Sequence, residues 1–241
     1  MWDAMAAHLR GLDAEIGRRP RAVLVVSAHW EAETASVNAS SAPGLLYDYY
    51  GFPASTYRLA YPAPGSPEVA ARVQDLLEAS GLPVAIERER GLDHGVFIPF
   101  MLIYPDAAIP VVQLSLIRGL SPRNHLEMGR ALAPLRDEDV LIVGSGMTYH
   151  NLRDMGSDRA SREAEAFDDW LGEVLKATDE ASRCQALSDW AEAPGARYAH
   201  PREEHLMPLM IAAGAAGKDP GRRLYGERLG GRVAQSGFRF G

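Results

Sequence analysis

The sequence predicts an α/β fold: a single three-layer α/β/α domain over residues 1–241 with a central mixed or mostly parallel sheet. Three observations predict it. Near-continuous apolar, β-branched runs such as RAVLVVSA (Arg21 to Ala28) and IPVVQLSL (Ile109 to Leu116) suit strands covered on both faces. These runs alternate with amphipathic stretches that carry helix start and stop signals, the spacing of strand-helix-strand units. The chain has 241 residues, 46% hydrophobic and 24% charged, enough to bury one sizeable core, and no repeat or long linker divides it.

The elements follow in order. Arg21 to Ala28 is the first strand, with His29 and Trp30 at its C-terminal end, and Thr34 to Ala39 is the second. From Pro43 to Pro67 a stretch rich in Gly, Tyr and Pro lacks either period and reads as a long functional loop. Ser66-Pro67-Glu68 opens a helix over Glu68 to Ala79, with Pro in the first turn and Gly81 just past the end. Pro83 to Glu87 is a short strand, Val96 to Tyr104 a short buried helix, and Ile109 to Leu116 a further strand. Ser121-Pro122 starts a helix to about Leu135. Val140 to Val143 is a strand ending in Gly144-Ser145-Gly146, where glycine permits close backbone approach. Helices over Arg162 to Lys176 and Glu203 to Ala216 precede one or two terminal strands between Arg222 and Phe240.

Composition narrows the function classes. The formal charge is −7 with no basic block, which argues against a nucleic-acid partner. The longest apolar runs fall well short of a membrane span, and Met1 is not followed by a signal peptide's basic and apolar regions, so a cytoplasmic protein without a membrane partner is expected. The one cysteine, Cys184, excludes an internal disulfide framework and a Cys cluster for zinc, so any metal would be held by His, Asp or Glu.

Seven histidines are the main chemical signal: His8, His29, His94, His125, His150, His200 and His205. His8 and His125 lie inside plausible helices among charged neighbours and read as ordinary surface or half-buried side chains. His29 and His150 fall at carboxyl ends of strands, where open α/β sheets bind ligands. A histidine there either caps backbone groups or faces a cleft, and His150, followed by Asn151, suits a general base. In Asp93-His94-Gly95 the neighbouring carboxylate could orient a ring nitrogen, although the tripeptide is also good turn chemistry. His200 and His205 flank Pro201-Arg202-Glu203-Glu204, so that Pro201 would start a helix with His205 in its first turns. Carboxylate and imidazole this close suggest a metal site, while the favourable field of a helix N-terminus accounts for the glutamates equally well.

Seven segments, taken together and in order, carry a resemblance: SAHWE (Ser27 to Glu31), YYGFP (Tyr49 to Pro53), YPAPGSPEVA (Tyr61 to Ala70), GLDHGVFIPF (Gly91 to Phe100), IPVVQLSL (Ile109 to Leu116), GSGMTYHNL (Gly144 to Leu152) and HPREEHLMPL (His200 to Leu209). The chain from about Pro20 onward resembles the class III extradiol ring-cleavage dioxygenases, in particular the DOPA 4,5-dioxygenase-like branch. The resemblance implies one α/β/α domain holding Fe(II), or Zn(II) in its place. His29 and His205 would be metal ligands, His150 the general base and acid, and His94 a second active-site histidine toward substrate or oxygen. His200 would line the same pocket, and the loop bearing Tyr47, Tyr49, Tyr50, Phe52 and Tyr57 would cover a flat substrate, with Tyr50 and Phe52 as contacts. The partners implied are a small aromatic diol and O2.

One departure stands out. Family members begin with a strand ending in a His-Gly-Ser-Pro-like segment whose histidine is the first metal ligand, and this sequence starts after that point. His8 is no substitute, lacking the strand before it and the turn after it. The expectation is therefore either an omitted N-terminus or a natural variant with a degraded site, and with two protein ligands metal affinity would be weak unless Glu31, Glu204 or a neighbouring chain completes the set. Lack of that strand would bare a sheet edge and favour a homo-oligomer. Two alternatives stay open at this stage: a zinc-dependent hydrolase using the same histidines to activate water, and a catalytically impaired family member acting as a binding protein.

Overall fold

The structure is a computed structural model, and it describes residues 2–241. The chain forms two compact units. The first, here the sheet unit, comprises Leu9–Gly119 and Pro134–Ser145; the second, the hairpin unit, comprises the N-terminal residues through His8, Leu120–Ala133 and Gly146–Gly241. Helix α1 (Asp3–Ile16) opens the chain.

The sheet unit is built on strands β1 (Ala22–Ala32), β2 (Ala35–Asn38), β3 (Val84–Glu87), β4 (Val111–Ile117) and β5 (Val140–Ser145) in the order β3-β2-β4-β1-β5. β1 runs parallel to both β4 and β5, β2 is parallel to β3, and β2 meets β4 antiparallel at Val37 and Leu114, so the sheet is mixed. The α/β class and mixed sheet expected from the apolar runs are the ones adopted. Val23 and Val25 of β1 pack in a core with Val96, Phe97 and Phe100 of α3 (His94–Ile103), while α2 (Pro67–Ala79) packs on β2 and β3. Ser66 caps α2, its hydroxyl accepting the Val69 N–H, with Pro67 at the first position where no N–H is needed.

Two details differ from the sequence reading, and each bears on the site. β1 does not stop at Ala28: it continues to Ala32, with its pairing to β4 broken between Val26 and Glu31, so His29 sits in a bulged stretch inside the strand. A bulge twists the strand and re-aims its side chains, which is how a histidine following a buried run escapes the core. α3 starts at His94 because the Asp93 carboxylate caps it by accepting the Gly95 N–H. Pro99 lies inside α3, and the Gly95 carbonyl, which lacks the N–H that a proline four residues on cannot give, accepts the Ser145 hydroxyl at 2.5 Å.

The hairpin unit contains α4 (Pro122–Leu132), α5 (Asp158–Lys176), α6 (Glu180–Ser188), the single turn α7 (Ala196–Ala199), α8 (Met207–Ala215) and the antiparallel hairpin β6 (Gly221–Leu229) and β7 (Val233–Phe240). α4 packs on α8, and α5 on the hairpin and α7. The two terminal strands expected are this hairpin. α5 begins earlier than expected, capped by the Ser157 hydroxyl on the Ala160 N–H. α6 and α7 were not anticipated. The helix expected from Glu203 begins only at Met207, with Pro208 in its first turn, so Pro201 starts no helix and His205 lies in the turn before α8. The glutamates at 203 and 204 therefore do not serve a helix N-terminus. His125 is also not a surface side chain: it is fully buried in α4, its Nδ1 2.7 Å from the Ser121 carbonyl. Among the described residues no helix is long and apolar enough to cross a membrane.

Candidate active site

The sheet unit carries His29, His94 and Asp48, whose ligand atoms lie within 4.8 Å of one another. The His29 and His94 rings stack, centroids 4.0 Å apart and 20° from parallel. The His94 ring is tied by Asp48, whose Oδ1 lies 2.7 Å from Nδ1 and also accepts the His94 backbone N–H at 3.0 Å. Burial on its own would raise the Asp48 carboxyl, but these hydrogen bonds outweigh it and hold the group below the usual carboxylate range. Of the two readings open for Asp93, orienting the ring or shaping the turn, the structure has the second: Asp93 caps α3, and Asp48 orients His94.

Asp93 points the other way, into the core. Its carboxylate is fully buried and accepts from Ser27 Oγ at 2.7 Å, the Gly95 N–H at 3.1 Å, Arg90 Nη2 at 3.4 Å and the Gln113 side-chain amide. Oδ1 stands 3.8 Å from His29 Nδ1. Burial pushes this carboxyl up, yet the His29 ring, the Ser27 hydroxyl and the Gln113 amide together hold it below its ordinary value. The same Arg90 nitrogen donates to the His29 carbonyl at 3.3 Å, and the guanidinium lies over Trp30 at 4.9 Å. Gly95 makes the packing feasible: a Cβ there would meet Ser27 Oγ at 2.7 Å and His29 Nδ1 at 2.8 Å.

The loop from Pro43 to Pro67 is ordered by its own tyrosines. Tyr47 donates to the Leu59 carbonyl at 2.6 Å, Tyr49 to Thr56 at 2.7 Å and Tyr57 to Tyr49 at 3.3 Å. The Tyr49 ring meets the His94 ring edge-on at 5.6 Å. Tyr50 and Phe52 project outward, 90% and 59% exposed, with the Phe52 ring against the edge of Tyr49.

The hairpin unit carries a second cluster, His150, Glu204 and His205, again with ligand atoms within 4.8 Å of one another. The two imidazoles stack with centroids 3.3 Å apart and 18° between planes. Glu204 Oε1 lies 3.0 Å from His205 Nδ1 and 3.4 Å from His150 Nδ1, and Oε2 is 3.3 Å from Arg202. Desolvation works to raise the Glu204 carboxyl, but the two rings prevail and keep it far below the usual range.

Backbone bonds fix where these rings stand. The His150 N–H donates to the Ala199 carbonyl at 2.9 Å, and the Met147 N–H to the His205 carbonyl at 3.0 Å. Gly146 allows that crossing, since a Cβ on it would come within 2.1 Å of the His205 carbonyl oxygen. Asn151 donates its amide to the Tyr198 carbonyl at 2.9 Å, and Gln235 of the hairpin donates to the Tyr149 carbonyl at 2.6 Å.

His200 is fully buried between Phe167 and Trp190, its Nε2–H donating to the Thr148 carbonyl at 3.1 Å. Burial brings its pKa down to about 3, against the hydrogen bond to Thr148 and with help from His205 and His150, so the ring is neutral near pH 7. The structure thus brings His29 together with His94 and His150 together with His205. Asp48 is the residue of these clusters that sequence reasoning missed; an acid set among tyrosines in an aperiodic loop carries no spacing signal. Glu204 stands out in the sequence as a neighbour of His205, but its contact with His150 spans the chain across α5, α6 and α7.

The comparisons with known proteins agree with this chemistry. The family model for the catalytic LigB subunit of aromatic ring-opening dioxygenase matches residues 7–234. The chain is 43% identical over 229 residues to the 4,5-DOPA dioxygenase extradiol of Beta vulgaris, covering 92% of this chain and 84% of that protein. It is 38% identical over 207 residues to the 4,5-DOPA dioxygenase extradiol of Escherichia coli K12, covering 84% and 75% respectively. The crystal structure of an uncharacterized protein from Escherichia coli K12 superposes with a TM-score of 0.82 at 32% identity, over 98% of this chain and 92% of that one. These matches favour ring opening over the zinc hydrolase and the non-catalytic binding protein. The chain belongs to the LigB family of aromatic ring-opening dioxygenases, and it is an extradiol dioxygenase.

Proposed function

We propose that the chain opens a catechol-type ring beside its two hydroxyls, consuming O2, with His29 and His205 as metal ligands and His150 and His94 handling proton and charge. The observation that carries this reading is the pair of histidine–carboxylate clusters, one in each unit. Imidazole nitrogen and carboxylate oxygen are the donor set that Fe(II) and Zn(II) accept, so the residues present fit the metal dependence of the family. Iron is the proposed metal, because ring opening by O2 needs a redox-active centre, with Zn(II) as an inactive occupant. When bound, the metal supplies an anchor for both diol oxygens and a path for electrons from the diol to O2.

The chain's own residues do the rest. His150 takes a hydroxyl proton from the diol and returns a proton as the ring opens. His94, its Nδ1–H held by the Asp48 carboxylate, stabilises negative charge developing on oxygen as an imidazolium, the form in which Nε2 also carries a hydrogen. His200 keeps a neutral ring in the wall behind Thr148. Tyr50 and Phe52 are proposed as contacts to the flat face of the substrate, which their exposure leaves available. The names of the relatives suggest DOPA among the candidate diols. A cytoplasmic setting is proposed on the single cysteine and the cell-reducing conditions that keep Fe(II) available.

Anaerobic Fe(II) titration followed by admission of air and catechol tests the reading. Tight iron binding that is lost in His205→Ala and in His29→Ala, with oxygen uptake only in the iron-loaded wild type, is the expected result. Iron binding of wild-type strength in both variants, or turnover supported by Zn(II) without oxygen uptake, would overturn it.

A further inference from the structure

Glu204 is placed unlike an ordinary surface carboxylate. One of its oxygens faces the Nδ1 atoms of two stacked imidazoles, at 3.0 Å from His205 and 3.4 Å from His150, while Arg202 holds the other oxygen at 3.3 Å. The side chain is 13% exposed, so water competes little for these contacts. An ionised carboxylate can only accept hydrogen bonds. Each Nδ1 facing it must therefore carry a hydrogen, and in a neutral imidazole this leaves Nε2 with the lone pair. A free imidazole in water has no such partner to choose for it.

The rings cannot easily turn away. The backbone on either side of the contact is pinned by the bonds from His150 to Ala199 and from Met147 to His205, and the rings lie flat against one another. Glu204 itself caps no helix, because α8 begins at Met207. Its contacts serve the two rings, His205 at hydrogen-bond distance and His150 at ion-pair distance, and its own neighbour Arg202, also at ion-pair distance.

We propose that Glu204 is a positioning residue that sets the Nδ1–H tautomer on His150 and His205 at once, leaving both Nε2 atoms as lone-pair donors. Its use rests on the function proposed above: one Nε2 is the form a metal requires and the other is the form a general base requires. One carboxylate thus prepares a ligand and a base by a single device.

The test is nitrogen NMR of the metal-free full chain carrying 15N-labelled histidine, at a pH of about 8.5 where imidazoles are neutral. His150→Gln and His205→Gln assign the two signals. The expected wild-type spectrum has both rings as Nδ1–H, and Glu204→Ala shifts both toward Nε2–H. The same variant is expected to bind Fe(II) about tenfold to a hundredfold more weakly. An Nε2–H ring at either position in the wild type, or unchanged tautomers in Glu204→Ala, would overturn the proposal. Because the wild-type spectrum needs neither metal nor substrate, absence of oxygen uptake would sink the dioxygenase chemistry and leave this inference standing.

Discussion

Each unit holds a stacked pair of histidines with a carboxylate at a ring nitrogen, yet the two clusters distribute that carboxylate differently. In the hairpin unit one oxygen of Glu204 serves both His150 and His205. In the sheet unit the work is divided: Asp48 ties His94 alone, while His29 has the core carboxylate Asp93 at 3.8 Å. The mounting differs as well. Glu204 is the chain neighbour of the ring it bonds most closely, so its placement is local, whereas Asp48 reaches His94 from a long loop that its own tyrosines must hold in shape. A shared, local carboxylate makes two rings depend on one side chain; separate carboxylates let each ring be disturbed alone.

The largest effect expected from this contrast is on turnover. His150→Gln should lower kcat about a hundredfold to ten-thousandfold while leaving bound iron unchanged, as loss of a general base does. His94→Gln should fall below it, at about a hundredfold to a thousandfold. Oxygen-electrode rates beside iron content measure both, and a His94 variant more damaged than the His150 variant would reverse the roles assigned to the clusters.

The next effect separates the carboxylates. Glu204→Ala should weaken Fe(II) binding about tenfold to a hundredfold, and Asp48→Ala by less, because only the former touches a proposed ligand. Calorimetric iron titrations of both variants give the ratio, and equal losses would mean that His94 ligates too.

Stability distinguishes the two glycines. Gly146→Ala sets a Cβ against a backbone carbonyl and should cost about 3 kcal/mol; Gly95→Ala meets side chains and should cost about 1 kcal/mol, both read from urea midpoints. The Gly95 variant, which presses on the His29 ring, should show its loss in iron affinity instead.

Acid acts on His200 first and on the carboxylates after it. His200 has a folded pKa near 3 against an ordinary 6.5, so its stabilising contribution is complete above pH 6.5 and is lost as the pH falls from there toward 3. Within that window the unfolded chain binds more protons than the folded one, and this single group costs about 1.4 kcal/mol per pH unit. Asp48, Asp93 and Glu204 are depressed carboxyls, so their contributions are kept through the upper part of that window and are lost only as the pH drops below about 4. Denaturant melts between pH 7 and 4.5 should therefore show a slope that His200→Phe removes, and an unchanged slope in the variant would remove His200 from the account. The smallest effect concerns the loop: Tyr50→Ala and Phe52→Ala should raise KM with kcat kept, and change stability by no more than about 0.5 kcal/mol.

Much of this arrangement was legible in the sequence because its signals are local. The buried runs, the Ser-Pro helix starts and the glycines at strand ends have strong short-range chemistry, and His29 and His150 stood out by following such runs. What remained hidden depends on contacts distant in sequence. The bulge in β1 is a matter of pairing with β4, and the reach of Asp48 to His94 crosses a loop without periodicity. The start of α8 was misplaced because Pro201 and Pro208 are both acceptable helix openers, and the backbone of His205 is drawn instead toward Met147. The short α6 and α7 have no strong apolar stripe to announce them.

The most direct measurement of the central claim is the fate of molecular oxygen. Iron-loaded chain turning over catechol under 18O2 should give a ring-opened product carrying both labelled atoms, with one O2 consumed for each diol. A product with one labelled atom or none, or turnover that continues without oxygen, would contradict an extradiol dioxygenase at these histidines.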